Sequence, residues 1–363
     1  IDPATMTGRR VWLAAALLGI ITAACSSGSG TGTTTSSTAA PSTRAPATTT
    51  VRSAAASIDW SALRNPMLRS ATSAVKDPAL MFAGGVWHAL FSDVDTAGHW
   101  RIGLATSPDL RHWSAITTMP HDPTIAGEAS PDVVPMPSGG WVVTYQSFAR
   151  DRDGGSPKLY FRTTSDLVHF SAQHPLGLAL HPAASDRMID AAVAYTPAGL
   201  LLGYKSGADV QHFEIARSTS GSLDGPWSLV GQPEIRVYGD TIENYQFLHL
   251  HGGWQLLATS NLLDRPFLFT LAGDPASPTG WLRWSTGRQL DVPLESWNTG
   301  RGVTGSTYEH ANCAFIVNRG AVAGEYYLVY SDSPNKATFG GEGPAVLALA
   351  RSRDLVTWSV PPY

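Results

Sequence analysis

The sequence predicts an all-β domain, a five-bladed β-propeller, and three observations predict it. First, one phrase occurs five times: an acidic residue or His, an apolar run, a Gly-rich turn, then Trp or Tyr and a second apolar run ending in Ser. The copies run Asp77–Ser92, Asp132–Ser147, Asp190–Ser206, Glu243–Ser260 and His310–Ser331, so their first residues are 55, 58, 53 and 67 apart. Each copy reads as strand, tight turn and strand, a hairpin. Second, another phrase follows three of the copies, built around Asp109, Asp166 and Asp354 and closing at Trp113-Ser, Phe170-Ser and Trp358-Ser; looser versions close at Trp227-Ser and Trp284-Ser. Two hairpins repeated at this period make four-stranded blades. Third, the 12 Trp and 35 Gly of the chain suit short strands, tight turns and aromatic packing between blades.

In chain order, residues 1–5 precede the first Met and read as a vector remnant. Met6 then opens a secretion signal: Arg9-Arg10 supply the charge, and Val11 to Ile21 form an apolar run too short to span a bilayer. Thr22-Ala23-Ala24-Cys25 places small residues before a Cys and resembles a bacterial lipobox, although Thr22 stands where Leu is usual. Residues 1–25 are thus expected to be a lipoprotein signal with Cys25 as the lipidation site; an ordinary signal peptide and secretion are the alternative. Residues 26–57 are almost wholly Ser, Thr, Ala, Gly and Pro, which reads as a disordered tether. Residues 58–363 hold the propeller, a length that suits blades stacking like repeats better than one ordinary core.

Charge and cysteine usage narrow the function classes. The formal net charge is −4 and no basic run occurs, so nucleic acid is not expected as a partner. With Cys25 acylated, the second of the two Cys residues, Cys313, has no intrachain partner; it lies in the apolar stretch 311–317 and reads as a buried hydrophobe. Zinc-type Cys/His spacings, phosphate-binding Gly loops and Gly-x-Ser-x-Gly elbows are not found. A monomer is expected.

The chemistry is expected where the acids fall. In a propeller the first strand of each blade lines the central channel. The five phrase-opening residues Asp77, Asp132, Asp190, Glu243 and His310 are therefore expected in a ring around one mouth. Converging carboxylates push each other's pKa values apart. That arrangement supplies one protonated and one ionised carboxyl, as glycoside hydrolysis requires.

These residues resemble the five-bladed propeller glycosidases of the arabinanase and β-xylosidase type, glycoside hydrolase family 43 and its relatives. Lys76-Asp77-Pro78-Ala79, Ser130-Pro131-Asp132-Val133, Met188-Ile189-Asp190-Ala191, Ile242-Glu243-Asn244-Tyr245 and Glu309-His310-Ala311-Asn312 carry the resemblance. The Pro expected after Asp190 and the Gly-Pro or Ala-Pro expected after Glu243 are absent, so the chain reads as a divergent member. The resemblance implies Asp77 as general base, Glu243 as general acid, and Asp190 as the residue that tunes and orients the acid. It implies inversion, with the Asp77 and Glu243 carboxyls roughly 6.5–9.5 Å apart. Asp132, His310 and Arg301 are expected to bind substrate. No cofactor is required; an optional calcium ion on the propeller axis beside His310 is the one metal the resemblance adds. The expected substrate is an oligo- or polysaccharide bearing furanosyl or xylosyl residues, with arabinofuranoside first and galactofuranoside second. The expected place is outside the cell, on the membrane surface. Two other readings stand beside it: a carbohydrate-binding propeller without turnover, and a protein-interaction propeller.

Overall fold

The computed structural model describes residues 58–147, 156–183, 186–207, 211–233, 235, 237, 242–261, 263–293, 299–301, 307–309, 311–317, 324–333, 338–339 and 343–362. The signal and tether expected over 1–57, with Cys25, lie outside them, as does His310.

Among the described residues there are five antiparallel four-stranded sheets, each a meander. Blade one is β1 (Ser73–Ala83), β2 (Val86–Asp95), β3 (Trp100–Ser107) and β4 (Thr117–Thr118). Blade two is β5 (Glu128–Pro135), β6 (Trp141–Ser147), β7 (Leu159–Thr164) and β8 (His174–Pro175). Blade three is β9 (Met188–Thr196), β10 (Gly199–Ser206), β11 (His212–Ser218) and β12 (Trp227–Gly231). Blade four is β13 (Ile242–Leu250), β14 (Gly253–Ser260), β15 (Arg265–Thr270) and β16 (Arg288–Gln289). A short hairpin, β17 (Thr299–Arg301) and β18 (Thr307–Glu309), precedes blade five, which is β19 (Asn312–Ile316), β20 (Tyr326–Asp332), β21 (Val346–Ser352) and β22 (Trp358–Ser359).

The inner strands read as nearly unbroken apolar runs because both of their faces are covered by neighbouring blades. In β1 nine of eleven residues are buried. The core is accordingly a series of layers between blades. Val134, Leu159 and Phe161 of blade two meet Met188 and Leu202 of blade three. Leu201 and Phe213 of blade three meet Phe247 and Leu256 of blade four. Leu248 and Leu257 of blade four meet Ile316 and Leu328 of blade five. Phe91, Val133 and Val329 belong to the layer joining blades one, two and five.

Hairpin chemistry follows the sequence. Gly84 and Gly85, at φ 59° and 80°, make the two-residue turn between Ala83 and Val86. His251-Gly252, at 52° and 76°, does the same between Leu250 and Gly253. A turn with both central residues at positive φ has the twist that antiparallel strands need. The aromatics that follow these turns pack on aromatic rings of their own blade. Trp87 is fully buried against Phe82, and Trp254 lies edge-on to Trp281 at 5.0 Å.

The Ser/Thr-x-Asp-Leu turns are structural. The Asp109 carboxylate accepts the backbone N–H groups of Arg111 and His112, and Asp166 and Asp354 do likewise for their own turns. Leu110, Leu167 and Leu355 then sit at φ 60–64° with their side chains buried.

The ring is clasped by the segment ahead of β1. Leu68 bridges Leu347 of β21, and the buried Asn65 side chain exchanges two 2.9 Å hydrogen bonds with the backbone of Leu349. Trp60 packs on Tyr327 and under the Arg351 guanidinium. The outer edge of blade five is thus shared between β22 and residues from the other end of the domain.

Candidate active site

Each inner strand carries a one-residue irregularity at the same place. The register slips between Lys76 and Ala79, Ala129 and Asp132, Glu243 and Gln246, and Asn312 and Phe315, and on β9 between Ile189 and Ala192. In each case the first residue skipped by the register has positive φ: Asp77 at 49°, Ser130 at 52°, Asp190 at 57°, Asn244 at 52° and Cys313 at 51°. A bulge of this kind leaves the ladder and re-aims one side chain. Non-glycine residues at positive φ carry strain, and such strain is found at functional sites. The five bulges line a narrow axial cavity of about 30 Å³.

This geometry corrects the expected ring. The equivalent positions are 77, 130, 190, 244 and 313, so Asp77 and Asp190 are members, Asp132 and Glu243 are not, and His310 lies outside the described residues. Asp132 lies two residues beyond the bulge, yet it also lines the cavity and is buried. Glu243 lies one residue ahead of its bulge, at the rim, with 27% of its side chain exposed. In blade five the ring position belongs to Cys313. The shift arises because the bulge adds a residue that counting along an alternating strand does not reveal. Arg301 falls on β17, in the hairpin ahead of blade five.

Asp77 is 6% exposed. Its Oδ2 accepts the Ser92 hydroxyl at 2.6 Å and the Ser130 hydroxyl at 3.4 Å, and the Lys76 ammonium lies 3.8 Å from Oδ1. Asp190 is fixed through its own backbone, whose N–H donates to Gln146 Oε1 at 2.6 Å. Burial pushes its carboxyl up to about 7; the charges of Glu243 and Asp77 push the same way, and Lys205 pulls it down. Glu243 Oε2 accepts the Lys205 ammonium at 3.0 Å. The strand that carries Glu243 is anchored by Tyr245, whose hydroxyl donates to the Ile242 carbonyl at 2.6 Å and whose ring packs 4.2 Å from that of Phe213. Cys313 is buried as expected. Burial and then the charge of Asp77 hold its thiol well above the usual range.

Sequence reasoning missed the second row of side chains. Ser92, Gln146 and Lys205 occupy one position, the second-strand residue paired just ahead of the bulge. Each reaches the next blade. Ser92 accepts the Ser130 N–H at 2.8 Å, Gln146 accepts that of Asp190, and Lys205 bonds Glu243. A signal was present: a polar residue closes an apolar run at each of these places. Among the described residues, no three His, Cys, Asp or Glu side chains group as a metal cluster.

Fold and site together define the class: a five-bladed β-propeller whose axis opens between acids contributed by blades one to four. Solved structures share that architecture. An α-L-arabinofuranosidase from Lactobacillus brevis superposes with a TM-score of 0.56 at 13% identity, over 83% of this chain and 98% of that one. A thermostable family-43 glycoside hydrolase gives 0.54 at 14%, over 83% and 96%. A structure from the GH130 family of mannoside phosphorylases, described as containing glycoside hydrolases that target β-1,2 mannosidic linkages in Candida mannan, gives 0.52 at 16%, over 81% and 89%. At these identities the likeness is one of fold. No protein-family model matches the sequence, and no curated protein matches it.

Proposed function

We propose that the protein is a glycoside hydrolase that cleaves terminal or internal furanosyl or xylosyl residues with inversion, arabinofuranosides first and galactofuranosides second. One observation carries the reading: Asp77 and Asp190, from two blades, line one axial cavity, and Glu243 of a third blade stands beside them, bonded to Lys205 next to the Asp190 bulge. Such a cluster is unfavourable for stability alone.

Asp77 is the base. Two hydroxyls and Lys76 orient its carboxylate, which takes a proton from the attacking water. Glu243, at the accessible rim, is the acid and delivers its proton to the leaving oxygen. Asp190 lies buried beside it and tunes it. Asp132, which lines the same cavity, binds a sugar hydroxyl, and Arg301 and His310 are the further substrate-binding residues of this reading. The reaction draws on no cofactor. The domain works outside the cell, lipid-anchored through Cys25 and its tether, on polymeric or oligomeric sugars, as a monomer.

The test is release of aryl leaving groups from α-L- and α-D-arabinofuranoside, β-D-galactofuranoside and β-D-xyloside. Turnover of one of these is expected, with Glu243→Gln and Asp77→Asn each reducing it by at least about a hundredfold. Retained activity in both folded variants would refute the assignment. Binding of the matching polymers with no cleavage would favour a carbohydrate-binding module.

A further inference from the structure

A lysine is buried only where its charge is matched, because an unpaired ammonium in a protein interior is strongly unfavourable. Lys205 is 2% exposed. It lies on β10 opposite Ile189, directly beside the bulge that carries Asp190, and its ammonium bonds Glu243 on the next blade at 3.0 Å.

The equivalent positions show what the fold itself needs there. In blades one and two the same seat is filled by Ser92 and Gln146, and each holds the next blade's bulge with a neutral group. Joining blade to blade at this height therefore needs a hydrogen bond and no charge. A full charge stands in blade three alone of these three, where two acids from adjacent blades come together.

We propose that Lys205 is a positioning residue of the acid pair: its ammonium holds the Glu243 side chain through the 3.0 Å bond and counters the negative charge gathered where Glu243 and the Asp190 bulge come together. The neighbouring groups are Asp77 and Lys76 from blade one, Tyr245 from blade four and Cys313 from blade five. Lys205 opposes the burial and the carboxylate charges that push Asp190 up. Its meaning for turnover rests on the glycosidase reading; its effect on Asp190 does not.

The experiment follows the Asp carboxyl carbons of the whole protein by ¹³C NMR from about pH 4 to about pH 10, with Asp190→Asn to assign the resonance. Lys205→Gln keeps a donor, following the Gln146 precedent, and removes the charge; Lys205→Arg keeps the charge. The expected result is that Asp190 titrates at least about one pH unit higher in Lys205→Gln and returns towards wild type in Lys205→Arg. On any substrate the wild type turns over, the alkaline limb of kcat/KM moves upward with it. An Asp190 titration unmoved in folded Lys205→Gln would overturn the proposal, whatever the activity. Absence of turnover in the wild type would instead count against the glycosidase reading, and the NMR result would still decide the role of Lys205.

Discussion

Glu128 shows how burial alone sets the behaviour of one residue. It opens β5 with no exposed surface, 3.4 Å from the His121 imidazole, and burial pushes its carboxyl from 4.5 up to about 7 against the pull of Arg162 and Arg101. Burial, and then Arg101, lower the pKa of His121, while Asp122 opposes them. Tyr145 also lies within the field of Glu128. Between about pH 4.5 and 7 the folded protein keeps a proton on Glu128 that the unfolded chain releases, so stability falls as pH rises through that window. Glu128→Gln should therefore be more stable than wild type above pH 7, on the order of 1–3 kcal/mol, and lose that advantage below about pH 4.5. Thermal melts of the two proteins across this range check it. Nothing in the sequence signals that Glu128 and His121, seven residues apart and not on one regular element, touch, because their approach depends on the path of the chain between β4 and β5.

At the scale of the strand, the inter-blade layers leave little room. Gly203 lies mid-β10, where an added Cβ would come within 2.8 Å of Phe247 and 2.9 Å of Phe213. Both rings belong to the layer between blades three and four. Gly203→Ala should destabilise the domain by about 1–3 kcal/mol, measured by denaturant unfolding, since overpacking displaces both rings. The strands were legible in the sequence because their apolar runs, glycine turns and post-turn aromatics are local signals. The bulges were not. A bulge changes which residue faces the axis without changing composition, so Asp132, Glu243 and His310 read as equivalents of Asp77 when Ser130, Asn244 and Cys313 hold that place. Ser92, Gln146 and Lys205 stayed hidden for a related reason. What each holds lies on the next blade, as far as 44 residues away for Gln146 and Asp190, beyond the reach of any periodicity.

For the whole molecule, closure is the point of weakness. Blade five is completed by a clasp from ahead of β1, and Asn65 is its central link, 2% exposed and doubly bonded to Leu349. Asn65→Ala removes both bonds and leaves the N–H and C=O of Leu349 without those partners. A loss of about 2–4 kcal/mol in unfolding free energy is expected, together with faster amide exchange at the β21 edge. Unchanged exchange there would show that Trp60 and Leu68 hold the ring without it. Five-fold repetition has a different consequence at the axis. Because the five kinks share one backbone, they behave as interchangeable sockets, and the side chains plugged into them can be exchanged without rebuilding the wheel. An acid moved from one socket to the next would carry its negative charge round the axis by one blade while the architecture stands still.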